Sequence, residues 1–282
     1  MGNMSKKEVV LFGIILCCVS VLFGIYFCTA TAEHIAWDCP GCDRTGNTGN
    51  YCGGCAHPAP WIEDASLKLL RDEFSKVGNI VRFGHYEQDN NLNNGQEEIE
   101  WIVLDVQAGK SMLISRYGLD TKPYNTSYIN IGWERCTLRK WLNSDFLKAA
   151  FSIEEQFSIL TIKVDNSFDQ KYSIYSVNYG NNTQDRVFLL SDHEAFDVYF
   201  KNNEVRKCVP TQYAEAQGAY TNSRTFDVDG RNTGGWWLRS QGNGFRSASY
   251  VSYFGSLSYN SVNYDAVCVR PALWINLESE PF

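Results

Sequence analysis

The chain has 282 residues, more than one typical domain and fewer than two large ones, and 44% of them are hydrophobic, ample for a packed core. Its 25 Lys and Arg stand against 32 Asp and Glu, a formal charge of −7, and no basic cluster occurs. That balance argues against a nucleic-acid partner.

Residues 1–32 carry the first signal. Lys6 and Lys7 precede Val9 to Phe27, an uncharged apolar run of nineteen residues, and Glu33 and Asp38 follow it. The run is long enough to cross a bilayer as a helix, and its flanking charges place the N-terminus in the cytoplasm and the rest outside. The expectation is a single-pass anchor in the cell membrane. A cleaved secretory signal stays open, because Ala30-Thr31-Ala32 resembles a cleavage site.

Residues 33–60 contain Cys39-Pro-Gly-Cys42 and Cys52-Gly-Gly-Cys55, a C-x2-C-x9-C-x2-C spacing. Four thiolates so placed complete a tetrahedral zinc site with no open position, so a metal held by Cys39, Cys42, Cys52 and Cys55 is structural. The segment resembles the minimal zinc ribbons of many bacterial proteins. It is too short to bury a core, so metal binding would supply most of its folding free energy. Two disulfides remain the alternative for a segment expected outside the cell.

Residues 61–77 place Leu67, Leu70 and Phe74 at helical spacing, the pattern of a short amphipathic connector ended by Gly78. The main domain then occupies 78–282. Asn79 to Tyr86 reads as a strand, Asp89 to Gly95 as a polar loop, and Ile99 to Val106 with Ser111 to Ser115 as a hairpin. Helices are expected from Thr137 to Phe146 and from Ser152, where Glu155 completes a capping box. Arg186 to Ser191 reads as a buried strand, Asp192 as the cap of a helix to about Phe200, and Thr211 to Gln217 as a last short helix. Few early strands, mid-chain helices and late strands with long connections make an α+β class.

The stretch from Gly234 to Asn276 has two apolar ends, Gly235 to Arg239 and Val267 to Ile275, with Pro271 marking an edge or bulge in the second. Between them lie almost only Ser, Asn, Tyr, Phe and Gly, which predicts a loop system rather than long strands. Tyr supplies rigid contact area and Ser, Asn and Gly supply adaptable hydrogen bonds, the composition of a binding surface. Candidate contacts are Asn243, Phe245, Ser247, Ser249, Tyr250, Ser252, Tyr253, Phe254, Ser256, Ser258, Tyr259, Asn260, Asn263 and Tyr264. Nearly all are reached from an Asn codon by changing adenines alone, whereas Ala248, Val251, Gly255 and Val262 read as fixed scaffold.

The pattern WWLRS…A…V…G…V…VRPALWI resembles the variable region of target proteins of diversity-generating retroelements. More broadly, Gly78 to Leu277 resembles domains of unknown function common in secreted and surface proteins of Gram-positive bacteria. The resemblance implies a C-type-lectin-like fold, with Ile80 to Phe83 beside Val269 to Trp274, and recognition of a protein or other macromolecular ligand without catalysis. Neither calcium motif of the sugar-binding C-type lectins, Glu-Pro-Asn or Gln-Pro-Asp with Trp-Asn-Asp, is present. An oxidase of the formylglycine-generating type shares the broad fold but needs a reactive cysteine pair, for which Cys136, Cys208 and Cys268 are the candidates. A structural envelope domain is the third reading. Arg239 and Arg270 are expected to hold loop carbonyls or carboxylates, and Asp192, Asp227 and Asp229 to be turn residues.

Overall fold

The computed structural model describes residues 65–167, 171–172 and 180–278, together with Ala36, Cys39, Cys42, 44–47 and Gly54. The apolar run at 9–27 lies outside the described residues, and with it the expected membrane span; of the expected zinc ligands Cys52 and Cys55 lie outside them too, and Cys39 and Cys42 are described. Among the described residues no helix is long and apolar enough to cross a membrane. Contacts divide the chain into Met1–Ile62 and Glu63–Phe282. In the first unit Cys39 is buried and its amide donates to the Arg44 carbonyl at 2.8 Å.

The second unit is a mixed α+β domain whose strands, numbered in chain order, form several sheets. The first five-stranded sheet has the order β1 (Ile80–Tyr86), β2 (Glu97–Gln107), β3 (Lys110–Ser115), β14 (Ala272–Asn276), β7 (Val187–Phe188). Period-two patterning builds it: Ile99, Trp101 and Val103 are fully buried on one face of β2. In β1 the alternation slips at Gly84, where φ is +72° and a side chain would strike the Ala150 carbonyl and the Phe151 ring. The bulge there puts Phe83 and Gly84 inside together.

The second five-stranded sheet has the order β12 (Leu257–Ser261), β11 (Ser247–Val251), β10 (Trp236–Gln241), β13 (Cys268–Val269), β4 (Asp120–Thr121). Two small ladders, β5 (Ile162–Val164) with β6 (Thr183–Asp185) and β8 (Thr221–Phe226) with β9 (Asn232–Gly234), complete the strands.

Two expectations are corrected here. The run from Val267 to Ile275 is not one strand: it leaves the second sheet after Val269 and enters the first at Ala272. Pro271, which has no N–H to give a ladder, sits at the transfer, and its carbonyl accepts the Ser115 amide at 2.9 Å. Nor does Ile80 to Phe83 lie beside the last strand. β14 instead takes the open edge of β3 through five consecutive pairs, Ala272 with Ile114 to Asn276 with Lys110, leaving β1 at the sheet margin.

The helix at Ala65–Phe74 is more than a connector, since Phe74 is buried and its carbonyl accepts Ser111 Oγ at 2.6 Å. The helix that opens at Thr137–Trp141 passes through a π turn at Leu142–Phe146 into Leu147–Ala150. Ser152 and Glu155 form the expected capping box. At the next helix the cap is Ser191 rather than Asp192: Ser191 Oγ accepts the Glu194 amide at 3.1 Å, and Glu194 returns a carboxylate oxygen to the Ser191 amide at 2.8 Å. One hydrophobic cluster, with Trp101, Trp133, Trp236 and Trp237 all buried, draws on both large sheets.

Candidate functional site

The expected loop system between Gly235 and Val267 is a β-hairpin. Its strands β11 and β12 pair in unbroken register from Ser247 with Ser261 to Val251 with Leu257. The turn closes because Ser252 and Gly255 amides donate to Ser256 and Ser252 carbonyls, each at 2.8 Å, while the hydroxyls of Ser252 and Ser256 meet at 2.8 Å. Composition alone pointed to a loop, but β11 docks on the buried β10, and that ladder satisfies backbone groups that a polar sequence would otherwise give to water.

All four scaffold positions are buried. Ala248 and Val251 pack under the hairpin. Val262 donates its amide to the Arg246 carbonyl at 2.9 Å and accepts the Asn125 amide at 2.7 Å. Gly255 has φ of +78°, and a Cβ there would sit 1.9 Å from the Asn203 carbonyl oxygen. Its own carbonyl accepts Arg206 Nε at 2.8 Å. Only glycine fits this turn.

The candidate contacts separate by environment. Asn243, Phe245, Phe254, Asn263 and Tyr264 are exposed, Phe245 at 74% and Phe254 at 53%. Ser247, Tyr250, Tyr253, Ser256, Ser258, Tyr259 and Asn260 are half-buried. Ser249 and Ser252 face inward: Ser249 Oγ lies 3.0 Å from both Asp192 Oδ2 and the Gln241 carbonyl, so this side chain fastens the hairpin instead of meeting solvent. Tyr250 packs edge-on against Trp237 at 5.9 Å, and Tyr259 donates its hydroxyl to the Tyr172 carbonyl at 2.9 Å.

The exposed rings gather at the two ends of the hairpin, roughly 15 Å apart for strands of this length. At the turn, Phe254 packs at a tilt against Tyr253, ring centroids 4.5 Å apart, and Tyr220 adds a ring 5.9 Å from Tyr253. At the open end, the Arg246 guanidinium lies 5.1 Å from the Tyr128 ring, beside the exposed Phe245. Tyr128 and Tyr220 come from distant parts of the chain, and nothing in their local sequence marks them as neighbours of the hairpin.

Arg239 and Arg270 hold the structure together, as expected. Arg239 donates to the Leu189 and Asp165 carbonyls at 2.9 and 3.0 Å and forms a two-pronged pair with Glu194, one contact at 2.8 Å. Burial pushes the Glu194 carboxyl up, but the charge and hydrogen bonds of Arg239 outweigh it and leave the group below its ordinary value. Arg270 is buried with its guanidinium 4.9 Å from the Trp236 ring, donating Nε to the Ser115 carbonyl at 2.9 Å. Asp227 and Asp229 are turn residues that face Arg231.

The domain's thiols are buried. Burial pushes Cys136 up to about 12 and raises Cys208 and Cys268 as well, so all three stay protonated at neutral pH.

Residues 108–277 match the family described as a domain of unknown function, DUF6273. The chain belongs to this family. No curated protein and no solved structure matches it. The DUF6273 span runs from the turn before β3 to the end of β14, so it contains the hairpin, its scaffold and both arginines. It leaves out β1, the whole of β2 and the loop between them.

Proposed function

We propose that this chain is a membrane-anchored surface protein that binds a macromolecular ligand through the hairpin ends and has no catalytic role. The observation that carries the reading is the division of labour within one short segment. Ala248, Val251, Gly255 and Val262 are buried, whereas Phe245, Phe254 and Tyr264 present rings to solvent. Exposed aromatic groups flanking a rigid ladder lose little conformational entropy on binding and suit protein partners.

The domain is read as C-type-lectin-like because the last strand returns to the first hairpin while the preceding strands form a second sheet that carries the surface. The alternation of buried small residues with exposed or half-buried Tyr, Ser, Asn and Phe supports a diversified hairpin of the kind that retroelements rewrite at adenines. The anchor at residues 9–27 and a structural zinc at Cys39, Cys42, Cys52 and Cys55 belong to the same proposal.

Two experiments test it. The neighbouring DNA is expected to hold a near-copy of the coding segment for residues 242–268, differing mainly at adenines, beside a reverse transcriptase gene; its absence ends the diversification reading. Display of a surface-protein library against the full chain is expected to yield ligands whose capture drops at least tenfold in the variant Phe245→Ala, Phe254→Ala, Tyr264→Ala. Unchanged capture of every ligand overturns the hairpin as the binding surface.

A further inference from the structure

The loop between β1 and β2 runs from Glu87 to Glu97 and is built almost wholly of Asn, Gln, Asp and Glu. It brings together one ligand atom from each of Glu87, Asp89 and Glu97, all within 4.8 Å of one another. Two oxygens on opposite sides of a calcium ion, each at 2.3–2.6 Å, stand about 5 Å apart, so this spacing fits a shared ion with little adjustment. Among the described residues no Lys or Arg forms an ion pair with any of the three.

A second observation points the same way. Glu87 is only 7% exposed, its side chain turned into the cluster, and its Oε1 has no hydrogen-bond partner. A buried carboxylate oxygen without a donor, beside two further carboxylates, is costly unless a proton or a cation compensates it. The other two groups are already oriented. Glu97 Oε2 accepts the Gln88 and Asp89 amides at 2.7 and 3.3 Å, and Asp89 accepts the Asn91 amide at 2.8 Å and Asn94 Nδ2 at 2.8 Å. The loop is also tied to the body through the Gln88 carbonyl, which accepts the Tyr213 amide at 3.0 Å. An ion has a way in, because Asp89 borders a cleft of about 580 Å³ and Glu97 borders one of about 350 Å³.

We propose that Glu87, Asp89 and Glu97 form a divalent-cation site of calcium type. The donors are hard oxygens, which exclude a preference for zinc or copper, and the loop supplies further amide and water oxygens for the seven or so ligands calcium takes. The site lies outside the DUF6273 span and is independent of the hairpin reading. Its role is to lock the β1–β2 connection against the body and, with one face open to the clefts, to offer a cation to a carboxylate- or hydroxyl-bearing ligand.

The test uses the full chain in detergent micelles, titrated with calcium chloride by calorimetry and followed by thermal unfolding in calcium or in chelator. One saturable site is expected, with a dissociation constant on the order of 10⁻⁴ M, and calcium at a hundred times that value is expected to raise Tm by about 5 °C. Glu87→Gln and Glu97→Gln are each expected to weaken binding at least tenfold. In chelator Glu87→Gln is expected to melt at or above the wild-type temperature, because like-charge repulsion is relieved, so that calcium reverses the order of the two proteins. No saturable binding, or binding and Tm responses that both variants leave unchanged, overturns the site. A variant that melts lower than wild type in chelator and in calcium alike shows a structural carboxylate instead, and overturns it too.

Discussion

β10 and β12 lie in the same sheet with only β11 between them, and they obey opposite rules. Every residue of β10 is buried except Ser240, whereas every residue of β12 is half-buried. β10 carries two indoles and an ion-paired arginine, each hydrogen-bonded to residues far away along the chain. Among the described residues β12 has one strand neighbour, β11, and no strand pairs with its other edge. Tolerance to sequence change therefore follows position in the sheet more than distance along the chain. An edge strand can vary because few atoms pack against each side chain, and the same openness lets those side chains reach a ligand.

The largest effect that sharpens this contrast is expected at Arg239→Met. It strands the Glu194 carboxylate, and since about a quarter of that side chain reaches solvent the loss is put at about 2–4 kcal/mol by urea unfolding. The pH dependence has a definite sign. A folded-state value below the ordinary 4.5 means the pair stabilises above that value, and the stabilisation is lost as pH falls through the lowered one. The gap between wild type and variant is thus expected to narrow as pH falls below the ordinary 4.5. A gap that widens on acidification breaks the account of Arg239.

Gly255→Ala comes next, at about 2–4 kcal/mol from a left-handed backbone and overlap with Asn203. A stable Gly255→Ala protein would show that the turn is not fixed from below. Ser249→Ala is expected to cost about 1 kcal/mol, because Asp192 loses a buried donor. Smallest are Asn260→Tyr on β12 and Phe245→Ala beside the hairpin, each expected within about 0.5 kcal/mol of wild type in thermal unfolding. A loss above about 2 kcal/mol at either would abolish the distinction between the two strands.

The thiols extend the same contrast. Cys136, Cys208 and Cys268 are expected to resist a thiol reagent in the native protein at pH 7.5 and to react after unfolding, as mass spectrometry would read. Rapid native labelling of Cys208 or Cys268 would reopen the oxidase reading.

Much of the architecture was legible residue by residue. The hairpin of β2 and β3, the Ser152 capping box and the Thr211 helix follow from period-two patterning and from side-chain oxygens placed before apolar runs. The inward turn of Ala248, Val251 and Val262 was legible as well, because small apolar residues interrupt a polar run. What misled was composition: Ser, Tyr and Asn between Gly242 and Val267 suggested a loop, yet a strand already pinned to the core dictates what pairs with its open edge. Asp192 looked like a helix cap and instead receives Ser249, since Ser191 one residue earlier has the better geometry with Glu194.

By itself the sequence determined the α+β class, the local turns and caps, and the residues that must be apolar, because these depend on neighbours within a few positions. Only the tertiary structure decided that Pro271 hands one strand to another sheet, that Tyr128 and Tyr220 stand at the ends of the hairpin, and that Glu87, Asp89 and Glu97 converge. Those outcomes depend on which strand edges remain open once the core has closed, and that is a property of the packed chain.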